Sequence, residues 1–130
     1  MGMEPYTPPA HAIDHWHAHV YYDASEKPAA ERLRAAIAAR FPHLRLGRWH
    51  DAPVGPHPRG SYQVIVAPAE FSEVVQWLAV ARDGVTVFVH PETGDNLADH
   101  SDHVVWLGPS EDLNLDMFRR RAKQGAAVAG

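Results

Sequence analysis

Three histidines alternate along one short stretch near the start of the chain. His15, His17 and His19 are separated by single residues within 13–22, a stretch rich in aromatic and β-branched residues. Residues i and i+2 of a β-strand project to the same face, about 7 Å apart at Cα. Imidazoles at that spacing can converge on one metal ion. The pattern therefore predicts a histidine-lined strand face that holds a metal ion or an active site, with a solvated polar face as the alternative.

A further histidine is predicted to reach the same face from another strand. His90 is the last residue of the apolar run 85–90, next to Pro91. Catalytic and ligating residues often lie where strands end and backbone pairing stops. In a βαββαβ topology the fourth strand pairs with the first, which places His90 beside His17 and His19. This placement is the main argument for His90 as a third ligand.

Two loops carry the remaining candidate histidines. His57 stands between Pro56 and Pro58, and the flanking prolines restrict the backbone and therefore the direction of the imidazole. The alternative for His57 is an incidental position in a surface loop. In the second loop, His100 and His103 remain open between a role in the site and a place in a polar turn.

Hydrophobic periodicity predicts the elements that must position these residues. Strands are predicted over 13–22, 44–50, 61–66, 85–90, 103–107 and 113–118, the last with a helical turn as the alternative. Amphipathic helices are predicted from a cap at Ser25 to the residue before Pro42, and over 70–82.

This order of elements is typical of a ferredoxin-like α+β sandwich with extra C-terminal strands. Two helices would cover the Ala18 and Val20 face of an antiparallel sheet and leave the histidines on the other face. That other face needs a cover, and in a chain this short a second subunit of a homodimer is the usual one. We expect a flexible lead-in over 1–12, a single domain over 13–118 and a frayed tail over 119–130.

Composition excludes several classes of function. The 130 residues suit one domain, and the net charge of −4 argues against a nucleic-acid binder or a polybasic membrane anchor. The chain has 10 His and no Cys, so a metal site must use imidazole and carboxylate, a donor set that suits iron(II), manganese(II) or zinc(II). No apolar run approaches about 20 residues and no signal peptide is evident, so we expect a cytoplasmic protein.

Four short motifs follow one another with consistent spacing. They are His17-Ala18-His19-Val20-Tyr21-Tyr22, then Gly55-Pro56-His57-Pro58 with Ser61-Tyr62-Gln63, then His90-Pro91-Glu92-Thr93-Gly94, and the stretch from Asp99-His100 to Trp106-Leu107-Gly108. Together they resemble the small DOPA 4,5-dioxygenase family of fungi and bacteria over about residues 13–108. Tyr22 stands where the family motif often has Phe.

The resemblance implies a non-haem iron(II) extradiol dioxygenase, which uses O2 to open a catechol ring beside its two hydroxyls. For DOPA, the implied cleavage is at the 4,5 position. We expect His17, His19 and His90 to be the metal ligands, with His57 as the first substitute. Iron(II) is the expected metal, and manganese(II) or zinc(II) are the alternatives. Whether a carboxylate such as Glu92 completes the site stays open.

Other side chains are expected to handle protons and substrate. His57 or His100 would take a catechol proton, because imidazole suits acid–base work at neutral pH. Tyr62 is expected to hydrogen-bond a bound oxygen. Arg48 and Arg59 flank the proline-rich loop, and either can pair with a substrate carboxylate, although ordinary surface arginines are the better interpretation.

Two other functions remain in competition. One is a dimeric ferredoxin-like module that binds a small aromatic without catalysis, since this fold hosts many functions. The other is a zinc hydrolase on the same three histidines. Oxygen consumption separates both of them from the dioxygenase.

Overall fold

The computed structural model describes residues 2–8 and 12–129, with backbone alone for 125–129. Residues 2–8 and 12–14 contain no helix or strand. The parts of the predicted lead-in and tail that fall on residues 1, 9–11 and 130 lie outside the described residues. Within the described residues, no helix is long and apolar enough to cross a membrane.

Five strands form one antiparallel sheet in the order β2-β3-β1-β4-β5. The strands are β1 (His15–Tyr22), β2 (Arg45–Leu46), β3 (Gly60–Val66), β4 (Val87–Glu92) and β5 (Val105–Leu107). The first four follow the predicted ferredoxin-like order, and β5 adds one strand beside β4. The α+β sandwich is therefore confirmed, with β1 at the centre of the sheet.

Helices α1 (Lys27–Arg40) and α2 (Phe71–Ala81) cover one side of the sheet, which we call the helix face. The core on this face consists of apolar residues at every second position of the strands and at helical spacing in α1 and α2. They are Ala18, Val20, Val64, Val66, Val87, Val89, Ala30, Leu33, Ile37, Val74 and Leu78. The opposite side, the site face, carries the alternate residues of the same strands. This separation confirms the predicted division between the apolar face and the histidine row.

The start of α1 differs from the prediction. Ser25 does not cap the helix; its hydroxyl donates instead to the carboxylate of Asp23 (2.6 Å). The same carboxylate accepts the backbone N–H of Glu26 (3.1 Å), which occupies the N-cap position. The ionised carboxylate of Asp23 is a stronger hydrogen-bond acceptor than the neutral hydroxyl of Ser25. Pro28 lies in the first helical turn, where its missing N–H costs nothing.

The predicted sixth strand over 113–118 is wrong, whereas the helical turn kept as its alternative agrees with the structure, and the tail predicted to fray from 119 is helical up to residue 129. Helix α4 (Asp116–Ala129) occupies this region. The side-chain oxygen of Asn114 accepts the N–H of Asp116 (3.2 Å), and the N–H groups of Phe118 and Arg119 both bond the carbonyl of Leu115. A polar side chain at the start of a helix satisfies donors that the first turn leaves free.

Two short elements also differ from the predicted secondary structure. Strand β2 is only two residues long, and residue His50, the end of the predicted strand 44–50, makes a single bridge to Ser61. A short helix, α3 (Asn96–Asp99), lies in the predicted polar loop. The carboxylate of Asp95 caps it by accepting the N–H of Ala98 (3.1 Å).

The chain covers much of the site face itself. Tyr21 and Phe88 on this face have no exposed surface. His57 of the loop between β2 and β3 and Phe118 of α4 lie over it, and the N–H of Asn114 donates to the carbonyl of Pro56 (2.9 Å). A second subunit is therefore not required to cover this face, and the homodimer stays a prediction.

Candidate metal centre

Strands β1 and β4 bring three histidines together on the site face. His17 is paired directly with His90 across the two antiparallel strands, and His19 lies opposite Phe88. Because Ala18 on the intervening position faces the helices, both His17 and His19 must face the other way. The predicted juxtaposition of His90 with the histidine row is thus what the strand pairing produces.

The three imidazoles are close enough to share one ion. One nitrogen from each of His17, His19 and His90 lies within 4.8 Å of those of the other two. The Nε2 atoms of His19 and His90 are 3.0 Å apart. His19 and His90 are buried and His17 is half-buried.

Neighbouring acceptors fix the orientation of two of these rings. The Nδ1–H of His90 donates to the carbonyl of Pro91 (3.0 Å), which leaves the lone pair on Nε2. The Nδ1 of His17 lies 3.2 Å from a carboxylate oxygen of Glu92, and the same oxygen is 3.7 Å from Nδ1 of His90. The Glu92 carboxylate therefore lies beside Nδ1 of both imidazoles, a position from which a carboxylate commonly orients a ligating histidine.

Burial keeps these imidazoles neutral. Loss of solvent lowers the pKa of His17 to about 4 and that of His90 to about 3, and it holds the pKa of His19 well below its usual value. Each neighbouring imidazole adds to the effect, because a second positive charge nearby is unfavourable. Neutral imidazole is the form that binds metal. The donor set, its spacing and its protonation therefore fit a divalent transition-metal ion.

His57 packs against the cluster from the proline-rich loop. Its ring lies 4.1 Å from the ring of His19, centroid to centroid, and its Nδ1 is 2.6 Å from the hydroxyl of Tyr21. Burial lowers the pKa of His57 to about 4 and raises that of Tyr21. Tyr21 lies two residues beyond His19 and therefore on the same face of β1, as the alternation along this strand predicts.

His100 packs on the other side of the cluster. Its ring lies 4.0 Å from that of His90 and 4.5 Å from that of Phe118. Its Nδ1–H donates to the carbonyl of Asn96 (2.7 Å) in α3. His103 is exposed. Of the two histidines left open in this loop, the fold brings His100 to the cluster.

Tyr62 does not belong to this group, which corrects the prediction that it hydrogen-bonds a bound oxygen. It pairs with Val20 across β1 and β3, and both side chains lie in the core of the helix face. The Tyr62 hydroxyl donates to the carbonyl of Ala30 in α1 (3.0 Å). The alternation along β3 sends Ser61 and Gln63, rather than Tyr62, to the site face.

The first histidine of the row extends the cluster toward solvent. The Nε2 of His15 lies 2.9 Å from Nε2 of His17, and its Nδ1 contacts the carboxylate of Asp14. The carboxylate of Asp99, in contrast, serves the local fold: it is buried and accepts the N–H and hydroxyl of Thr93 (2.8 and 2.7 Å).

The two arginines of the proline-rich loop region have different surroundings. Arg59 forms ion pairs with Glu26 and Glu111, the latter at 2.7 Å. It therefore links separate segments of the chain. Arg48 instead lines a cavity of about 160 Å³ together with His19 and His57.

The fold and the site together define a ferredoxin-like domain with a three-histidine cluster, able to hold a metal ion, on the site face of its sheet. Comparison with known sequences gives the family: the profile of the Dopa 4,5-dioxygenase family matches residues 16–117. The chain belongs to this family. Membership supports an enzyme of the dioxygenase class.

Two curated relatives and one crystal structure are similar to this chain. A DOPA 4,5-dioxygenase of Amanita muscaria is 38% identical over 111 residues, 79% of this chain and 49% of the relative. An uncharacterized 21.2 kDa protein of Botryotinia fuckeliana is 31% identical over 120 residues, 84% of this chain and 66% of the relative. The chain thus spans about half and about two thirds of their lengths.

The solved structure is a protein of Nostoc punctiforme described as a "putative dioxygenase". It is 47% identical, superposes with a TM-score of 0.79, and the match covers 85% of this chain and 94% of that one. The ferredoxin-like sheet described above is therefore shared with an experimentally determined relative.

Proposed function

We propose that this chain is a non-haem iron(II) extradiol dioxygenase that opens the ring of a catechol, such as DOPA at its 4,5 position, with O2. The observation that carries the proposal is the convergence of His17, His19 and His90 on one buried face, in a member of the Dopa 4,5-dioxygenase family. Manganese(II) and zinc(II) suit the same nitrogen donors, and iron(II) is favoured because the proposed chemistry consumes O2.

The reaction balances without a further reductant. The ring bond beside the two hydroxyl-bearing carbons breaks, and both atoms of O2 enter the product. Bound iron(II) would supply what the side chains lack, a centre that chelates both catechol oxygens and brings O2 to the ring. Three protein ligands would leave coordination positions for these partners.

The side chains around the cluster hold and move the protons. His57 is neutral at pH 7 because burial lowers its pKa to about 4, so it can accept a catechol proton and returns it readily. The Tyr21 hydroxyl at 2.6 Å fixes the His57 ring. His100, packed on His90, is the second candidate for this role.

An oxygen electrode tests the proposal directly. The protein is loaded with iron(II) without air, and O2 uptake is measured with DOPA, dopamine, 3,4-dihydroxyphenylacetate and 4-methylcatechol. We expect uptake of one O2 per catechol and a new yellow product whose structure identifies the broken bond.

The competing functions give different results in the same experiment. No uptake with any catechol, together with stoichiometric zinc binding, would support a zinc hydrolase. No uptake and no stoichiometric metal would support a module that binds a small aromatic without catalysis.

Light scattering on the same preparation tests the proposed homodimer.

A further inference from the structure

A cavity on the site face extends from the histidine cluster toward β2. It has a volume of about 160 Å³, and His19 and His57 line one end of it. An engineered apolar cavity of about 150 Å³ in another protein binds benzene, so this volume suits one aromatic ring. The rest of the lining includes the polar residues Arg48, Ser61 and Gln63. The cavity can thus hold a single ring at the cluster and a polar substituent near β2.

Arg48 reaches this cavity because β2 and β3 change register by one residue. Leu46 pairs with Val64, whereas His50 pairs with Ser61. The chain between Leu46 and His50 is therefore one residue longer than the matching segment of β3, which is the arrangement of a β-bulge. A bulge redirects a side chain relative to the regular alternation.

Trp49 takes the place that the alternation would otherwise give to Arg48. Its ring packs in the helix face, 4.8 Å from the ring of Tyr62 and 5.3 Å from that of Tyr22. With this position filled by Trp49, the extra residue Arg48 lies among the residues that line the cavity. The bulge therefore places Arg48 along the cavity while Trp49 keeps its position in the apolar core.

The charge of Arg48 is available to a ligand. Among the described residues, Arg48 forms no ion pair and no side-chain hydrogen bond, whereas Arg59 is fully engaged by Glu26 and Glu111. None of the described residues that line the cavity is acidic. The carboxylate of Asp51, close to Arg48 in sequence, is held by Lys27 (2.9 Å).

We propose that Arg48 determines substrate specificity by binding a carboxylate on the side chain of a catechol whose ring occupies the cavity. The inference rests on the proposed function, because it takes the substrate to be a catechol bound at the histidine cluster. Guanidinium binds carboxylate through two parallel hydrogen bonds. Since the described lining contains no carboxylate to pair with an ammonium group, a catechol whose substituent carries only a carboxylate matches the charge of the cavity best.

Calorimetry on zinc(II)-loaded protein tests the inference without turnover. The probes are 3,4-dihydroxyphenylacetate, 4-methylcatechol and dopamine, which share the catechol and differ in the charge of the substituent. We expect the wild type to bind 3,4-dihydroxyphenylacetate at least about fivefold more tightly than 4-methylcatechol, the size of effect expected for a partly exposed charge pair. Dopamine should bind no more tightly than 4-methylcatechol.

Arg48→Gln should bring the ratio of the two dissociation constants to about one, and Arg48→Lys should retain part of it. Arg45→Gln is the matched control, because Arg45 is an exposed arginine of β2 outside the cavity lining and its loss changes the net charge equally. We expect the wild-type ratio in this control. Circular dichroism in the aromatic region checks that the packing of the aromatic side chains, Trp49 among them, is intact in each variant.

Three results would overturn the role of Arg48: equal binding of both probes by the wild type, equal effects of Arg45→Gln and Arg48→Gln, or no measurable binding of 3,4-dihydroxyphenylacetate. Failure of the proposed function is a separate result, since it appears as no O2 uptake by the iron-loaded wild type with any catechol. On active enzyme, Arg48→Gln should raise KM for 3,4-dihydroxyphenylacetate more than KM for 4-methylcatechol.

Discussion

The two faces of the sheet are buried to nearly the same extent but by opposite chemistry. On β1, Val20 of the helix face is 0% exposed, while His19 and Tyr21 of the site face are 5% and 0% exposed. The helix face excludes water with apolar side chains that need no partners. The site face excludes water while it holds imidazoles that must find partners. Burial alone therefore does not distinguish a core from a site, and the two faces are expected to respond differently to substitution.

The largest expected effect is the loss of a ligand. His19→Ala should lower kcat/KM for a catechol by roughly 10³-fold or more. The proposed metal ion stabilises the transition state by several kcal/mol, and this variant removes one of its nitrogen ligands. Metal content, measured by plasma mass spectrometry, should fall well below one ion per chain. An active variant with full metal content would show that the cluster is not the metal centre.

Removal of the proton-transfer residue should separate metal binding from turnover. His57→Ala should keep one metal ion per chain and lower kcat by roughly 10²- to 10⁴-fold, the usual range for general acid–base catalysis. Parallel measurement of metal content and O2 uptake checks this. Loss of metal instead would identify His57 as a ligand, the substitution anticipated from the sequence.

A core substitution should give the opposite result. Leu33→Ala removes a buried side chain of α1 on the helix face and should lower the free energy of unfolding by about 2–5 kcal/mol. Chemical denaturation measures this change. At temperatures where the variant is folded, its metal content should equal that of the wild type, and a lower value would show that the two faces are coupled.

The orienting carboxylate should have a smaller effect. Glu92→Gln keeps the shape of the side chain but weakens the contacts to Nδ1 of His17 and His90, and metal affinity should fall roughly 10- to 100-fold. Competition with a coloured chelator measures the affinity. Glu73→Gln, on the exposed surface of α2, is a matched control for the lost charge.

The smallest effect concerns a polar contact at the edge of the helix face. The Lys27 ammonium and the Tyr22 hydroxyl lower the pKa of Asp51. A carboxyl with a lowered pKa in the folded state stabilises the protein above its unfolded pKa, and this contribution is lost as the pH falls through the folded value. Asp51→Asn should therefore be slightly less stable than the wild type at pH 7, and the difference should shrink as the pH falls below the ordinary carboxyl range. A difference that does not shrink on acidification would point to another cause.

The sequence predicts the cluster better than its surroundings. The alternation along β1 and the pairing rule for the fourth strand were enough to place His17, His19 and His90 together. Tyr62 is close to His57 in sequence, but its position in the alternation along β3 directs it to the helix face. The partnership of Tyr21 with His57 depends on how a long loop folds back, which no local pattern records.

Over 113–118 the strand was preferred to the helical turn that the structure supports. Leu113, Leu115 and Met117 alternate, which favours a strand, but a strand also needs a partner edge. The side-chain oxygen of Asn114 accepts the N–H of Asp116 and so stabilises the start of the helix. The alternation of apolar residues does not reveal a hydrogen bond of this kind. The order of the sheet was predictable because it depends on topology rules and not on such contacts.

The central position of β1 has a consequence for how this chain can evolve. Its residues supply both faces, so a one-residue insertion or deletion within β1 would exchange the faces of the β1 residues on one side of the change, moving imidazoles into the apolar core and core residues onto the site face. No single compensating substitution repairs such a shift. Length variation among descendants of this chain should therefore accumulate in the loops and at the edge strands, while the spacing between Trp16 and Tyr22 stays fixed.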